Sequence, residues 1–298
     1  MQSELLLEKF QTAEKKLSEY SKLTGPGFYL KVKRLRLLGI KYVLFELCHR
    51  LKIQLHINTN LFFGKKMRLP LHDEAIKYLY FFGSLQKTEI QLIVFLIKNL
   101  SETDVFYDVG ANYGFYSLLA KEVAPDCAVH VFEPQASLQE YLQQNLPAVK
   151  RNQIALTDTV GSIDFYEGFD TGASGKSSTK LESVSSRKET YQKVTVESTT
   201  LDEYIKTNAI PTFIKIDVEG AEISVLRGAR QLLKKHKPTI AMEVWLGNKQ
   251  QDDTHKATDL LLSLGYKEYD IDSSGELTEI TPSNEKGRSY VNRVFKKE

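Results

Sequence analysis

The first residues of the chain carry apolar positions at helical spacing. Residues 3–22 predict an amphipathic helix, whose stripe advances in alternating steps of four and three residues: Leu6, Phe10, Ala13, Leu17 and Tyr20. The stripe is shorter than three heptads, so packing against the rest of the chain is as good an interpretation as a coiled coil. Gly25-Pro26-Gly27 predicts the end of this segment.

From about residue 60, apolar runs of strand length alternate with helical patterns. We predict the principal strands at 105–109, 128–132, 213–217 and 239–244, and helices at 86–99, 114–123, 137–146 (capped by Ser137), 219–236 and 254–264. Shorter elements are expected at 153–156, 162–167, 193–197 and 201–206, with final strands near 266–272 and 290–295.

This order of elements predicts the fold class. Strands that alternate with helices form a mostly parallel sheet covered on both faces, so we predict an α/β, Rossmann-like, doubly wound fold. The last two strands and the turn-rich stretch 272–275 predict an antiparallel edge strand.

Composition leaves this picture of a globular chain unchanged. Of 298 residues, 42% are hydrophobic and 26% are charged, and the apolar run 92–97 is far shorter than the roughly 20 residues that span a bilayer. The segment MQSELLLEKF has acids where a secretory signal has bases. Cys48 and Cys127 fit no metal or redox spacing, so we expect two reduced thiols and a cytoplasmic location.

Charge is distributed unevenly. Residues 1–68 carry a net charge of +9 and the remaining residues −7. We therefore divide the chain into a basic helical N-terminal extension (1–60) and a main domain (61–298). Within the extension, residues 28–56 interleave Lys and Arg with Leu, Val and Phe, a pattern suited to peripheral contact with the inner face of a membrane. A basic helical cap on the acidic body is the alternative. The stretch resembles no nucleic-acid-binding module, so no nucleic-acid partner is expected.

A glycine-containing loop follows the strand at 105–109. Its sequence, DVGANYG, lacks the Lys-Ser/Thr pair of a triphosphate-binding loop. Asn112 occupies the place of the glycine that admits a pyrophosphate in dinucleotide-binding loops, and Asp108 would repel a phosphate. These departures favour a ligand with positive charge and no phosphate, such as S-adenosylmethionine. Glu133 ends the next strand, 23 residues after Gly110, where an acid accepts the two ribose hydroxyls in sheets of this type.

Beyond these features, the chain resembles the FkbM-type methyltransferases, a family of Rossmann-like, S-adenosylmethionine-dependent enzymes. The resemblance spans about residues 62–295 and rests on VFYDVGANYG (105–114), VFEP (131–134), ALTD (155–158) with Gly161, TLD (200–202), IKIDVEGAE (214–222), VLRGA (225–229) and KP (237–238).

The resemblance implies roles for particular residues. Asp108, Gly110, Asn112 and Gly114 would line the methionine part of S-adenosylmethionine, Glu133 would hold its ribose and the backbone near Ala155 would meet its adenine. Tyr113 and Pro134, in the same two loops, are further expected contacts. The family mostly methylates hydroxyl oxygens of sugars, glycolipids or polyketides.

The stretch IKIDVEG supplies the candidate catalytic residues. Methyl transfer to an alcohol needs a group that removes or orients the hydroxyl proton. Asp217 follows a strand expected beside the first one, Glu219 lies in the next loop, and Lys215 shares a face with Asp217 and can pair with it. A magnesium site at Asp217, Glu243 and Asn248 is an alternative with no diagnostic spacing, and we predict no metal.

The predicted function is O-methylation of a carbohydrate, glycolipid or polyketide-like hydroxyl by an S-adenosylmethionine-dependent enzyme. A nicotinamide-dependent oxidoreductase and a non-catalytic interaction module are the alternatives. The loops 170–190, which we interpret as a lid or a solvated loop, and 245–253 would shape the acceptor pocket. The sequence leaves the oligomeric state open.

Overall fold

The computed structural model describes residues 2–23, 28–169, 177–179, 190–246, 251–280 and 289–297. Most of the predicted lid at 170–190 and the segment 247–250 lie outside these residues. The helices are α1 (Gln2–Ser21), α2 (Phe28–Leu38), α3 (Ile40–Leu51), α4 (Lys77–Phe82), α5 (Ile90–Asn99), α6 (Phe115–Val123), α7 (Gln139–Asn145), α8 (Leu201–Tyr204), α9 (Glu222–Arg227), α10 (Arg230–Lys235) and α11 (Gln251–Ser263).

The strands are β1 (His56–Asn60), β2 (Lys66–Pro70), β3 (Val105–Val109), β4 (Ala128–Phe132), β5 (Lys150–Asn152), β6 (Ala155–Leu156), β7 (Gly161–Phe169), β8 (Thr190–Thr199), β9 (Phe213–Ile216), β10 (Thr239–Trp245), β11 (Lys267–Ile271), β12 (Leu277–Thr278) and β13 (Tyr290–Lys296). The hairpin β1–β2 and helix α4 were not predicted.

Among the described residues, eight strands form the central sheet in the order β12-β11-β13-β10-β9-β3-β4-β5. The five strands β10, β9, β3, β4 and β5 are parallel, and β13 pairs antiparallel with β10. The predicted Rossmann-like α/β fold with an antiparallel edge is therefore confirmed. In detail, residues 272–275 join β11 to the edge strand β12, and β13 lies between β10 and β11. Strand order changes direction between β3 and β9, which opens a crevice at their carboxyl ends.

Alternate residues of the central strands enter two separate cores. In β3, Phe106 packs with α1, α5 and α6 on one face, and Tyr107 packs with α9, α10 and α11 on the other. The period of two in a strand produces this division, and it explains why these strands are apolar on both faces.

Two local predictions were wrong. The helix expected at 219–236 begins at Glu222 and is split into α9 and α10, because Ala229 leaves the helical conformation (φ −116°, ψ 12°). The preceding Gly228 packs closely on another segment: a Cβ atom there would lie 2.0 Å from the carbonyl oxygen of Thr157. Ser137 does not cap α7: a 3-10 turn precedes this helix, and the Ser137 hydroxyl accepts a hydrogen bond from Gln135 Nε2.

The N-terminal helices pack on the face of the sheet that carries α5 and α6. The whole predicted stripe of α1 is buried against this face, whereas the stretch 28–56 forms two helices that meet at Gly39. The predicted boundary at residue 60 falls between the paired strands β1 and β2. None of the helices in the described ranges combines the length and the hydropathy that crossing a membrane requires.

Candidate active site

A cavity lies at the carboxyl ends of β3, β4 and β9, at the crevice between β3 and β9. Five of the residues predicted to contact a cofactor line it: Gly110, Asn112, Glu133, Pro134 and Ala155. The predicted catalytic residues Asp217 and Glu219 line the same cavity. The structure thus brings together loops that are more than a hundred residues apart in the chain.

The glycine loop turns tightly against the end of β9. Gly110 has φ +75°, and a Cβ atom there would lie 1.8 Å from the carbonyl oxygen of Asp217. The N–H groups of Gly110 and Ala111 both donate to the carbonyl oxygen of Phe132, at 2.9 and 3.2 Å. Only a glycine fits at residue 110, because the close approach excludes a side chain and the left-handed backbone further disfavours one.

Glu133 is anchored by backbone groups on the wall of this cavity. Its two carboxylate oxygens accept hydrogen bonds from the N–H groups of Asn112 (2.9 Å) and Gln135 (3.0 Å). The residue is only 6% exposed. Burial raises the pKa of Glu133 to about 7, although the two N–H groups act in the opposite direction. Each carboxylate oxygen keeps further acceptor capacity, so the side chain can also accept hydroxyl groups of a ligand.

Three residues predicted to contact a cofactor lie away from the cavity lining. The Tyr113 hydroxyl donates to Asp73 Oδ2 at 2.6 Å, and its ring packs on Tyr141. A Cβ atom at Gly114 would lie 2.5 Å from Leu146 Cδ1, so this glycine allows α6 to approach the end of α7. Asp108 is completely buried and accepts a hydrogen bond from the Ser117 hydroxyl at 2.7 Å. The structure therefore shows packing and anchoring contacts for these three residues.

Lys215 connects the two loops from beneath the cavity. Its ammonium lies 3.1 Å from Asp217 Oδ2, 3.8 Å from Asp108 Oδ1 and 3.3 Å from the carbonyl oxygen of Gly110. Burial alone would lower the pKa of Lys215, but Asp217 and Asp108 more than offset burial, and the pKa is raised. The lysine is thus held as a cation, and the predicted pairing with Asp217 is confirmed.

The loop after Asp217 is shaped by a buried carboxylate that sequence reasoning did not single out. Glu222 Oε1 accepts hydrogen bonds from the N–H groups of Gly220 (3.1 Å) and Val218 (3.3 Å). Glu219 and Gly220 have φ values of 55° and 97°, and Ser178 donates its hydroxyl proton to the Glu219 carbonyl oxygen. These contacts hold Glu219 in a left-handed conformation at the cavity.

A second group of polar residues lies on the other side of Asp217. Glu89 is 8% exposed, and its Oε2 accepts hydrogen bonds from the Tyr116 hydroxyl (2.8 Å) and from Asn292 Nδ2 (3.0 Å). Glu243 is the cross-strand neighbour of Asn292. Burial raises the pKa of both Glu89 and Glu243, and the charge of Asp217 raises both further.

The proposed metal alternative gains no support from these carboxylates. Asn248, its third member, lies outside the described residues. Among the residues that the structure describes, no group of three or more His, Cys, Asp or Glu side chains is arranged to hold a metal ion.

Further lining residues come from short strands that carried no predicted function and from the predicted lid at 170–190. Phe165, Ile154 and Leu156 form an apolar wall near Ala155, and Ser177 and Thr179 border the cavity. Ala155 and Leu156 pair with β8, which brings the small three-stranded sheet β6-β8-β7 to the site. Apolar residues on short strands carry no signal in the sequence that distinguishes a cavity wall from ordinary core.

The chemistry of the lining limits the ligand. Glu133, Asp217 and Glu219 line the cavity, and within the described ranges no Lys or Arg does so. Such a site repels phosphate and attracts a ligand that carries positive charge. This finding argues against a dinucleotide cofactor, whose pyrophosphate would lie close to these carboxylates.

Comparisons with known proteins agree on one class of enzyme. The sequence model described as "Methyltransferase FkbM domain" matches residues 108–268. Over 181 residues, the chain is 26% identical to the hexuronic acid methyltransferase AglP of Haloferax volcanii, a match that covers 59% of this chain and 70% of AglP.

Two solved structures are also similar to the chain. Methyltransferase FkbM from Methylobacillus flagellatus KT has 20% sequence identity and a TM-score of 0.43, with 66% of this chain and 44% of that chain covered. The O-methyltransferase from Bacillus cereus, described in complex with SAH, has 10% identity and a TM-score of 0.41, with 71% and 81% covered. The chain thus spans less than half of the length of the first of these two structures.

Proposed function

This chain belongs to the FkbM family of S-adenosylmethionine-dependent methyltransferases, and we propose that it methylates a hydroxyl oxygen of a carbohydrate, glycolipid or polyketide-like acceptor. The family domain covers more than half of the chain. One observation carries most of the proposal. The cavity at the crevice between β3 and β9 is lined by Glu133, a carboxylate at the position typical of ribose binding, and by the candidate catalytic carboxylate Asp217. No basic residue is among its described lining.

The residues of the cavity fit S-adenosylmethionine. We assign Glu133 to the ribose hydroxyls, and the apolar wall of Phe165, Ile154 and Leu156 suits the faces of an adenine ring. Gly110 allows the glycine loop to pack directly against the backbone of Asp217, because a Cβ atom at this residue would collide with the Asp217 carbonyl oxygen. The carboxylates suit the ammonium and sulfonium charges of this cofactor.

When bound, S-adenosylmethionine supplies an electrophilic methyl group, which an acceptor oxygen takes as the carbon–sulfur bond breaks. The protein contributes alignment of the acceptor oxygen with the methyl group and removal of the hydroxyl proton. We assign removal of the hydroxyl proton to the carboxylate of Asp217. This side chain is 33% exposed and so remains accessible from the cavity. Lys215 is a positioning residue: it holds one oxygen of Asp217 and leaves the other available. Glu219 lines the same cavity, and we assign it to orientation of the acceptor.

The electrostatics near Asp217 favour a neutral acceptor. Burial and the charge of Asp217 raise the pKa of Glu89 and Glu243, and on the same grounds we expect this region to disfavour further negative charge. AglP, by its name, methylates a hexuronic acid, a sugar that carries a carboxylate. We propose instead that the acceptor of this chain presents a neutral alcohol, with no carboxylate next to the reacting hydroxyl.

Binding and transfer experiments test the proposal separately. Calorimetric titration with S-adenosylhomocysteine and with NADH tests the cofactor class, and we expect binding of the first only. Incubation with methyl-labelled S-adenosylmethionine and a panel of neutral glycosides, glycolipids, hexuronides and macrolactone alcohols tests the acceptor. We expect a labelled methyl ether on a neutral alcohol, which disappears with Asp217→Asn.

Three other outcomes would count against parts of the proposal. Binding of NADH alone would indicate the oxidoreductase alternative. Faster methylation of hexuronides than of the matching neutral glycosides would overturn the acceptor charge. Cofactor binding without transfer to any member of the panel would favour the non-catalytic module.

A further inference from the structure

The exposed apolar side chains of this protein are concentrated in one segment. Twelve large hydrophobic residues are exposed among the described residues, and eight of them lie between residues 29 and 55. They are Tyr29, Leu35, Ile40, Val43, Leu47, Leu51, Ile53 and Leu55. Single exposed apolar residues are normal, but their concentration in one segment points to an interaction surface. We call the exposed side of residues 29–55 the α2–α3 surface.

Helix α3 is apolar on two faces. Tyr42, Phe45 and Cys48 are buried, and the Phe45 ring packs on Tyr80 and Phe81 of α4. The outward stripe consists of Ile40, Val43, Leu47 and Leu51, with exposures of 84%, 50%, 49% and 63%. The inner face already attaches the helix to the protein, so the outer stripe remains available for a partner.

The outer stripe borders an open apolar groove. Val32 and Leu35 of α2 face Val43, Leu47 and Leu51 of α3 across a space of about 420 Å³. Lys31, Arg50 and Glu46, which pairs with Arg50, also border the groove. Apolar side chains in the middle with cations at the margin are the arrangement of a helix that lies in the headgroup layer of a bilayer.

The positive charge of residues 28–56 indicates what kind of partner the α2–α3 surface binds. Residues 28–56 contain seven Lys and Arg and a single acid, Glu46. Glu46 is itself paired with Arg50, at 2.9 Å. The surface therefore presents cations almost exclusively, and its complement is a surface of dense negative charge.

We propose that the α2–α3 surface docks this protein onto an anionic lipid bilayer. The apolar stripe would enter the boundary between headgroups and acyl chains, and the surrounding Lys and Arg would contact lipid phosphates. Each basic residue near an anionic leaflet strengthens binding by about fivefold, so several of them suffice for reversible docking. A second copy of this chain fits poorly, because a two-fold contact would bring two strongly cationic surfaces together.

Vesicle sedimentation with the full chain tests this proposal without any measurement of methyl transfer. The probes are phosphatidylcholine vesicles with and without phosphatidylglycerol. The apolar variant is Val43→Ser/Leu47→Ser/Leu51→Ser, and its control is Val160→Ser/Leu262→Ser, two residues that are 62% and 45% exposed elsewhere on the protein. The charge variant is Lys31→Gln/Arg36→Gln/Lys52→Gln, and its control is Lys87→Gln/Lys234→Gln/Lys235→Gln, also at exposed positions.

The expected result is binding to the anionic vesicles that weakens as NaCl rises from about 0.1 M to about 0.5 M. Both test variants should lose at least about tenfold in affinity, with unchanged thermal unfolding, and both controls should bind as the parent does. Equal binding to both vesicle types, or full binding by the test variants, would overturn the proposal. So would a concentration-dependent dimer that the apolar variant abolishes, since a second copy would then occupy this surface.

Discussion

The ammonium of Lys215, in β9, lies 3.1 Å from Oδ2 of Asp217, which is two residues further along the chain and directly follows the strand. The lysine side chain is 6% exposed and that of Asp217 is 33% exposed, so the pair runs from the protein interior to the cavity. On its inner side the same ammonium faces Asp108, which is fully buried. This arrangement separates two functions: Asp108 and Lys215 form a buried ion pair that supports the site, and Asp217 presents its carboxylate to the cavity.

Lys215→Met should destabilise the protein. The substitution leaves the buried Asp108 without its cation, and loss of one partner of a buried ion pair costs about 3–5 kcal/mol. The free energy of unfolding, measured by urea denaturation, should fall by that order. Adding Asp108→Asn should recover part of the loss, because the uncompensated charge is then removed. A matched control is the exposed Lys193→Met, which should change stability by less than about 0.5 kcal/mol. An equally small change for Lys215→Met would contradict this account.

Asp217→Asn should reduce turnover and leave cofactor affinity nearly unchanged. The substitution keeps the shape of the side chain but removes the base, and general-base catalysis contributes about 10²–10⁴-fold to rate. Initial rates with an acceptor identified from the panel, together with calorimetry on S-adenosylhomocysteine, would measure both quantities. Asp164→Asn, at a half-exposed position on β7, is the control. A normal rate for Asp217→Asn would remove this residue from the mechanism.

Glu133→Ala should weaken binding of S-adenosylhomocysteine by about 1.5–3 kcal/mol, the range for hydrogen bonds to a charged group. The effect should be visible in calorimetric titration of the folded variant. Unchanged affinity would refute the assignment of this carboxylate to the ribose.

Cofactor affinity should also depend on pH through Glu133. Burial raises the pKa of this residue in the free protein to about 7. Under the proposed assignment the carboxylate accepts hydrogen bonds from the two ribose hydroxyl groups, so binding favours the deprotonated form. Affinity should therefore fall as the pH drops below 7, by up to about tenfold per pH unit. Above pH 8 affinity should be constant with respect to this group. Titrations across this range should show the dependence, and Glu133→Gln should abolish it. An identical pH profile in that variant would mean that a group other than Glu133 controls the affinity.

Gly110→Ala should disrupt the site through a collision with Asp217. An added Cβ atom would lie 1.8 Å from a backbone carbonyl oxygen, so either the glycine loop or the end of β9 must move. Gly64→Ala is a matched control, because Gly64 has a similar positive φ (+89°) and no neighbouring atom within 4 Å. The control should lose only the 1–2 kcal/mol or so of a left-handed alanine. Gly110→Ala should lose about 1–3 kcal/mol more and bind S-adenosylhomocysteine poorly. Equal behaviour of the two variants would contradict the collision.

The pattern of apolar and polar residues along the chain was sufficient to predict the parallel central sheet and the edge at which the site lies. Strands buried on both faces appear as continuous apolar runs, and parallel strands place their carboxyl ends at one edge of the sheet. For this reason the positions of Gly110, Glu133 and Asp217 at a common cavity followed from the sequence. The pairing of Lys215 with Asp217 followed as well, since residues two apart in a strand share a face.

Tertiary packing decided the rest. Glu89 and Asn292 are 203 residues apart and meet only because β13 enters the sheet beside β10. Tyr113 belongs to the glycine loop, but its ring turns toward Tyr141 and away from the cavity. Helix α3 is apolar on two faces, and its contact with α4 determines which face stays exposed. Sequence period indicates which residues share a face, but the direction of that face depends on neighbours that are distant in the chain and near only after folding.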